Sequence, residues 1–168
     1  MAERGAPGGL PVVEVTRRYR FSAAHRMHNP RFSAEENARL YGRCNHVSGH
    51  GHTYRLAVTL RGPVRPATGR LPEDEALDRV VEERVLARLD QGNLDEVIGP
   101  RDGPTSTSEA LLLFCWRLLA PCFPPGRLRC LRLEETPNNW FELDAESVSA
   151  AHGMAGNDMA GTEDEEQA

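Results

Sequence analysis

From His50 to Arg61 the sequence alternates without a break. His50, His52, Tyr54, Leu56, Val58 and Leu60 occupy one parity, and Arg55, Ala57, Thr59 and Arg61 the other. Successive side chains of a strand point to opposite faces, so this stretch predicts a strand over about 50–61 with one face buried, ended by Gly62-Pro63. Two imidazoles then stand side by side on the buried face. One metal ion could reach both.

A third histidine closes a stretch of similar character. Val13, Val15, Tyr19 and Phe21 share one parity in 12–21, which reads as a long strand running into Ser22-Ala-Ala-His25. Five of the six histidines (25, 28, 46, 50 and 52) fall within 28 residues. An isolated histidine is usually satisfied by hydrogen bonds at the surface or in a core. Three of them, two in His-x-His flanked by Gly49 and Gly51, point instead to metal, because three protein ligands and an open position make up catalytic zinc sites. The two glycines let the backbone crowd close to a ligand. Cys44 admits two roles. As a fourth ligand it would make the site structural; as a free thiol near a dication its pKa would fall, and it would serve as a base or nucleophile.

The rest of the chain supplies a frame. Ser33-Ala-Glu-Glu36 is a capping-box signature that predicts a short helix over 34–40. Acidic residues in Pro72-Glu-Asp-Glu75 open a helix carrying Leu77, Val80, Val81, Val85 and Leu89 on one side. A second long helix starts at the capping box Ser106-Thr-Ser-Glu109 and runs through Leu119, before Pro121, Pro124, Pro125 and Gly126. Leu131 and Leu133 alternate with Arg132 and Glu134 as a third strand, and Trp140-Phe-Glu-Leu143 forms a fourth. This order predicts an α+β domain over 11–146, a mostly antiparallel sheet with helices on one face. Residues 1–10 read as a flexible arm. Residues 147–168 read as a disordered acidic tail, with too little apolar surface to offset the ordering entropy.

Glu135 shares the parity of Leu131 and Leu133, which places a carboxylate on the inward face. A buried carboxylate needs a partner, and a ligand with a planar pair of N–H donors would serve. A strand-end glutamate before the turn Pro137-Asn138-Asn139 is an equal reading. Asp90-Gln-Gly-Asn-Leu-Asp95 reads simply as a turn.

Composition narrows the chemistry further. At 168 residues and 39% hydrophobic content the chain fits one domain with a sizeable core. All 20 basic residues are arginine, so no lysine can form a Schiff base. A net charge of −5 gives no sign of a nucleic-acid surface. No apolar run approaches the ~20 residues of a membrane span, and the first residues lack a signal-peptide core. The four cysteines (44, 115, 122, 130) form neither a disulfide framework nor a Cys-x-x-Cys zinc site. A reducing, cytoplasmic location is expected.

Taken together, Phe21-Ser-Ala-Ala-His25-Arg-Met-His28, Ser33-Ala-Glu-Glu-Asn37, Tyr41-Gly-Arg-Cys44-Asn45, Gly49-His-Gly-His52-Thr-Tyr54, Leu89-Asp90, Asn93-Leu94-Asp95, Ser106-Thr-Ser-Glu109 and Glu135-Thr-Pro-Asn-Asn139 resemble the 6-pyruvoyl-tetrahydropterin synthase family, which includes 6-carboxytetrahydropterin synthases of queuosine (7-deazaguanine) biosynthesis. The resemblance covers 13–143 in one collinear order. It implies the T-fold: a four-stranded antiparallel sheet with two long helices on one face, three subunits closing a twelve-stranded barrel, and two trimers forming a homohexamer with sites between subunits.

By position, the resemblance implies His25, His50 and His52 as zinc ligands and Cys44 as the catalytic thiolate. It makes Glu135 the pterin anchor, has Thr107 and Ser108 help hold the pterin, and makes Asp90 half of an acid–base pair. The implied reaction converts 7,8-dihydroneopterin triphosphate to 6-pyruvoyl-tetrahydropterin with triphosphate elimination. The alternative product is 6-carboxytetrahydropterin, although the Ser33–Asn37 insertion and the Cys-x5-His spacing resemble the 6-pyruvoyl branch more closely. The usual Asp-His pair reads Asp90-Gln91 here. An amide does not titrate near neutrality, and losing a positioned acid or base costs ~10²–10⁴-fold. His46 is the candidate substitute; a zinc- and pterin-binding protein with impaired turnover is the reading from another class.

Overall fold

In a computed structural model of the chain, which describes residues 10–98 and 105–150, two long strands form the spine. β1 (Val12–His25) and β2 (His50–Pro63) pair antiparallel along their full lengths, Val12 opposite Pro63 and His25 opposite His50. Between them lie helix α1 (Ala34–Tyr41) and a 3₁₀ turn, Gly42–Asn45. α1 carries the expected capping box: Ser33 Oγ accepts from Glu36 N, and Glu36 accepts from Ser33 N. A continuous helix, α2, follows β2 as Asp74–Val81, a π-helical Glu82–Leu86 and Ala87–Leu89. Helix α3 (Ser108–Leu119) then leads to β4 (Leu128–Thr136) and β5 (Asn139–Asp144), numbered to leave β3 for the short strand Gly92–Asn93.

The sheet order is β3-β1-β2-β4-β5. Its four long strands are antiparallel to their neighbours, as expected, but it has a fifth, parallel member: β3 pairs with Ala23 and Ala24. The cause is local. Gln91 has φ 59, its N–H donates to Ser22 O at 2.6 Å, and Ser22 N–H donates to Asp90 Oδ1 at 2.8 Å. The predicted turn is thereby stitched to the edge of β1.

One face of the sheet is the core. Phe21, Ala23, Tyr54, Leu56, Val58, Leu60, Leu131 and Leu133 are buried in one cluster with Leu77, Val81, Val85 and Leu89 of α2 and Leu111, Cys115 and Leu119 of α3. Each fully buried leucine contributes about 2 kcal/mol. The other face is polar: Thr16 and Thr59, register partners, bond through their hydroxyls at 2.8 Å, and Arg55 pairs with Glu134. Two details differ from expectation. The N-cap of α3 is Thr107, which accepts from Ala110 N, because Ser106 is committed elsewhere. Residues 145–150 are helical, four residues into the stretch expected to lack order; residues 151–168 and 1–9 lie outside the described residues.

Candidate metal and pterin site

The buried face of the β1–β2 ladder ends in imidazoles. His25, the last residue of β1, faces His50, the first of β2, and His52 lies one pleat along, across from Ala23. Ring centroids are 4.7 Å apart for His25–His50, 5.3 Å for His25–His52 and 4.7 Å for His50–His52. One ring nitrogen from each lies within 4.8 Å of the others. Gly49 makes the close approach possible: at φ +64, a Cβ there would sit 2.9 Å from the His25 carbonyl oxygen.

His25 is 1% exposed, and its Nδ1 lies 2.8 Å from the carbonyl oxygen of Ser106. A carbonyl only accepts, so Nδ1 carries the proton and the Nε2 lone pair faces the cluster, 3.2 Å from His50 Nε2. His50 Nδ1 and His52 Nε2 are buried without a hydrogen-bond partner. Burial, reinforced by the neighbouring imidazoles, pushes the pKa of both rings down, although Glu135 opposes this. Three imidazoles whose ring nitrogens lie this close together could hold a metal ion. The expected trio is thus brought together by the fold.

Glu135 joins it. It sits at the bulge between Glu134 and Thr136 of β4, its side chain 11% exposed, with Oε1 3.7 Å from His52 Nε2 and 3.9 Å from His25 Nε2. Among the described residues only its Oε2 has a hydrogen bond, from Asn139 Nδ2 at 3.5 Å. Cys44, half-buried in the 3₁₀ turn, is close enough that Glu135 acts on it electrostatically: burial first, then that charge, raises the thiol pKa. The chain by itself therefore holds Cys44 as a thiol. Ser108 is 2% exposed with an unpartnered Oγ, whereas the Thr107 side chain is used in capping α3.

The remaining expected residues stand apart. The Asp90 carboxylate accepts from Ser22 N–H and, at 3.4 Å, from Gln91 Nε2. Both residues are exposed, and Gln91 lines a shallow cleft that His52 also borders. The fold does not hydrogen-bond either one to Cys44. His46 is exposed, its Nδ1 accepting from Ser48 N–H at 3.3 Å.

Sequence reading missed the support beneath the cluster. Asp95 accepts from Arg26 N–H at 2.8 Å and from Ser106 O–H, so one carboxylate ties the loop that presents the Ser106 carbonyl to the end of β1. Buried Asn37 holds the 29–33 loop, donating to the carbonyls of Asn29, Phe32 and Ser33 while accepting from Asn29 N–H. A carboxylate beside a short N-cap and an asparagine inside a helix were the only signals. Tyr54, fully buried, stacks on Phe21 at 5.2 Å and meets His52 edge-on at 5.6 Å, its hydroxyl unpartnered and held protonated by burial.

Known proteins share this arrangement of sequence. The family model described as 6-pyruvoyl tetrahydropterin synthase matches residues 14–146. The 6-pyruvoyl tetrahydrobiopterin synthase of Poecilia reticulata is 38% identical over 140 residues, covering 83% of this chain and 95% of that protein. The Homo sapiens protein of the same name is 38% identical over 127 residues, covering 76% and 88%. Among solved structures, Caenorhabditis elegans 6-pyruvoyl tetrahydropterin synthase superposes with a TM-score of 0.75 at 35% identity, covering 81% of this chain and 97% of that one.

Proposed function

Since the chain belongs to the 6-pyruvoyl tetrahydropterin synthase family, we propose that it is a zinc-dependent lyase converting 7,8-dihydroneopterin triphosphate to 6-pyruvoyl-tetrahydropterin with release of triphosphate. The observation that carries this reading is the convergence of His25, His50 and His52 on one point beside the Glu135 carboxylate.

A zinc ion, which His25, His50 and His52 would hold, would supply Lewis acidity that makes C–H protons beside the substrate's side-chain oxygens removable. The chain's own groups do the rest. Glu135, little exposed, pairs with the amino and N–H edge of the pterin and fixes its side chain toward the histidines. Ser108 Oγ and the Thr107 segment hold the ring. Cys44 Sγ moves the proton. Burial and Glu135 disfavour its thiolate, so Cys44 rests as the thiol, and a cation held by the three histidines would favour the thiolate.

Two features bear on completeness. Among the described residues, β1 is unpaired along 12–21 on the side away from β2, and the outer edge of β5 is open. Such edges invite strand pairing, which supports closure of three copies into a twelve-stranded barrel, two barrels stacking as a homohexamer, with sites between subunits. The location that fits four free cysteines, and no helix among the described residues long and apolar enough to cross a membrane, is the cytoplasm.

A second reading rests on Gln91. Its amide leans on Asp90, and the fold offers no titrating side chain in its place there. His46 is the nearest candidate in sequence to Cys44. In this reading the chain binds zinc and pterin but turns over poorly. One experiment separates the cases: the purified oligomer is incubated with 7,8-dihydroneopterin triphosphate, with and without chelator, with metal content and product measured. Chelator-sensitive formation of the 6-pyruvoyl product supports the enzyme; a 6-carboxy product moves the assignment to that branch. Pterin binding without product, relieved by Gln91→His, identifies the impaired protein. Consumption of substrate that ignores metal removal rejects the zinc mechanism.

A further inference from the structure

Beside the histidines, on the side of the 3₁₀ turn, lies a cavity of about 700 Å³, a volume usual for small-molecule sites. His50 is one wall, so the cavity opens next to the metal position. Its polar lining is Arg26, Arg43, His28, His46 and Asn45, with no aspartate or glutamate. In a chain with 25 acidic and 20 basic residues that is not the default composition of a surface. On α1 the Glu36 carboxylate is turned back onto Ser33 N–H. The helix instead presents Ala34 and Ala38, four residues apart on one face, which leaves the space open.

The two arginines are held in different ways. Arg26 is fixed: its Nε and Nη2 donate to the backbone and side-chain oxygens of Asn45, both at 3.1 Å, and His28 Nδ1 sits 3.2 Å from the same side-chain oxygen. A guanidinium has five N–H donors, so three of Arg26's remain uncommitted. Arg43 has no hydrogen-bond or carboxylate partner among the described residues. His46 accepts at Nδ1, which leaves Nε2–H as a further donor. Uncompensated guanidinium forks with imidazole N–H groups are built for phosphate oxygens.

We propose that this cavity is the seat of the substrate's triphosphate and of the inorganic triphosphate that leaves, with Arg43 and Arg26 as its principal contacts. The inference rests on the reading above, which supplies a triphosphate-bearing ligand whose reacting end lies at the histidines. No covalent step is assigned to these residues; they bind and orient the leaving group.

The test is titration of inorganic tripolyphosphate into the full-length oligomer by calorimetry, in zinc-loaded and chelator-stripped protein, so that the anion's affinity for metal does not carry the signal. Wild type binds, more weakly as salt rises. Arg43→Ala weakens binding tenfold or more in both forms, Arg43→Lys recovers part of it, and binding of unphosphorylated 7,8-dihydroneopterin is unchanged. Arg43 is exposed and has no side-chain partner among the described residues, so its variant is expected to fold; Arg26→Ala is the second variant, with circular dichroism as a check. Failure of wild type to bind tripolyphosphate, or equal binding by Arg43→Ala and Arg26→Ala, overturns the proposal. Turnover distinguishes this from the enzyme reading. Active wild type with an unimpaired Arg43→Ala sinks the seat alone, whereas arginine-dependent binding without turnover sinks the enzyme and leaves the seat.

Discussion

Asp95→Ala weakens zinc binding without touching a ligand. The carboxylate accepts from Arg26 N–H at 2.8 Å and from Ser106 O–H, and the Ser106 carbonyl accepts from His25 Nδ1–H at 2.8 Å. Hydrogen bonds to a charged group contribute roughly 1.5–3 kcal/mol each when shielded. Asp95 is exposed, so solvent competition reduces each to about 1 kcal/mol. The variant therefore loses about 1–2 kcal/mol of stability and about 3–8 °C in Tm. The effect on metal is separate. With Ser106 released, the His25 ring loses the partner that fixes its tautomer and direction, and loss of such outer partners costs roughly 10–100-fold in metal affinity. One link of the chain (the backbone carbonyl) survives, so the low end, about tenfold, is expected. Competition against a zinc-binding dye gives the constant, and a melt in excess chelator gives the stability of the metal-free form. Asp95→Asn, which keeps one acceptor oxygen, falls between wild type and alanine in both. If Asp95→Ala melts early yet binds zinc within twofold of wild type, the bridge is only a staple between loops and the argument for His25 fails.

Glu135→Gln weakens pterin binding roughly 10–100-fold, since an ionised hydrogen-bond acceptor becomes a neutral amide, while zinc content stays at wild-type level; loss of zinc would make Glu135 a ligand instead. Gly49→Ala costs about 1–3 kcal/mol in chemical denaturation, because the residue sits at φ +64 with a Cβ 2.9 Å from the His25 carbonyl; an unchanged midpoint would show that the strand end relaxes freely. Asp78 is held below the ordinary aspartate value of 3.8, first by the Arg17 hydrogen bond and then by Tyr19 O–H. A depressed carboxyl contributes stability that is complete above its unfolded pKa and lost as pH falls through its folded one. The Tm deficit of Asp78→Asn should thus be constant above about pH 5 and vanish well below 3.8; a deficit that persists in strong acid would locate the effect in packing.

What the sequence made legible is what burial enforces. The β2 alternation survives intact because Tyr54, Leu56, Val58 and Leu60 are all fully buried against helices, and the same constraint carried the parity of Glu135 to the histidines. Less was legible where polar groups had a choice of partner. Ser106 reads as an N-cap, but its hydroxyl bonds Asp95 and Thr107 takes the cap. The 90–95 turn reads as a turn because two residues of parallel pairing leave no period to detect; only Gln91 at positive φ and the Asp90 bond to Ser22 reveal the strand. The arginines of the cavity look like ordinary surface charge, since nothing local states that no carboxylate will face them. Asp90 and Gln91 sit beside an open strand edge, and the sequence of one chain does not say what lies across such an edge.

The register of one ladder fixes how the three imidazoles meet. His25 and His50 are direct partners at the mouth of the β1–β2 pair, and His52 is the diagonal neighbour on the same face. A slip of one residue would turn His50 and His52 to the polar face and expose Tyr54, Leu56, Val58 and Leu60 with them. The residues that bury the core and the three clustered histidines thus demand the same alignment. Fourteen paired positions, from Val12 with Pro63 to His25 with His50, hold it. The converse is that an ion bound only by the aligned ladder stabilises it by RT ln(1 + [L]/Kd), about 2.7 kcal/mol at a hundredfold excess over Kd. That gain acts where the strand ends would otherwise fray. Hydrogen exchange should therefore slow on adding zinc at the amides of 23–25 and 50–53, and stay unchanged in the middle of the ladder around Val58, where apolar burial alone sets the protection. Uniform slowing along β1 and β2 would show that the metal stabilises the whole domain and that the strand ends are no weaker than its centre.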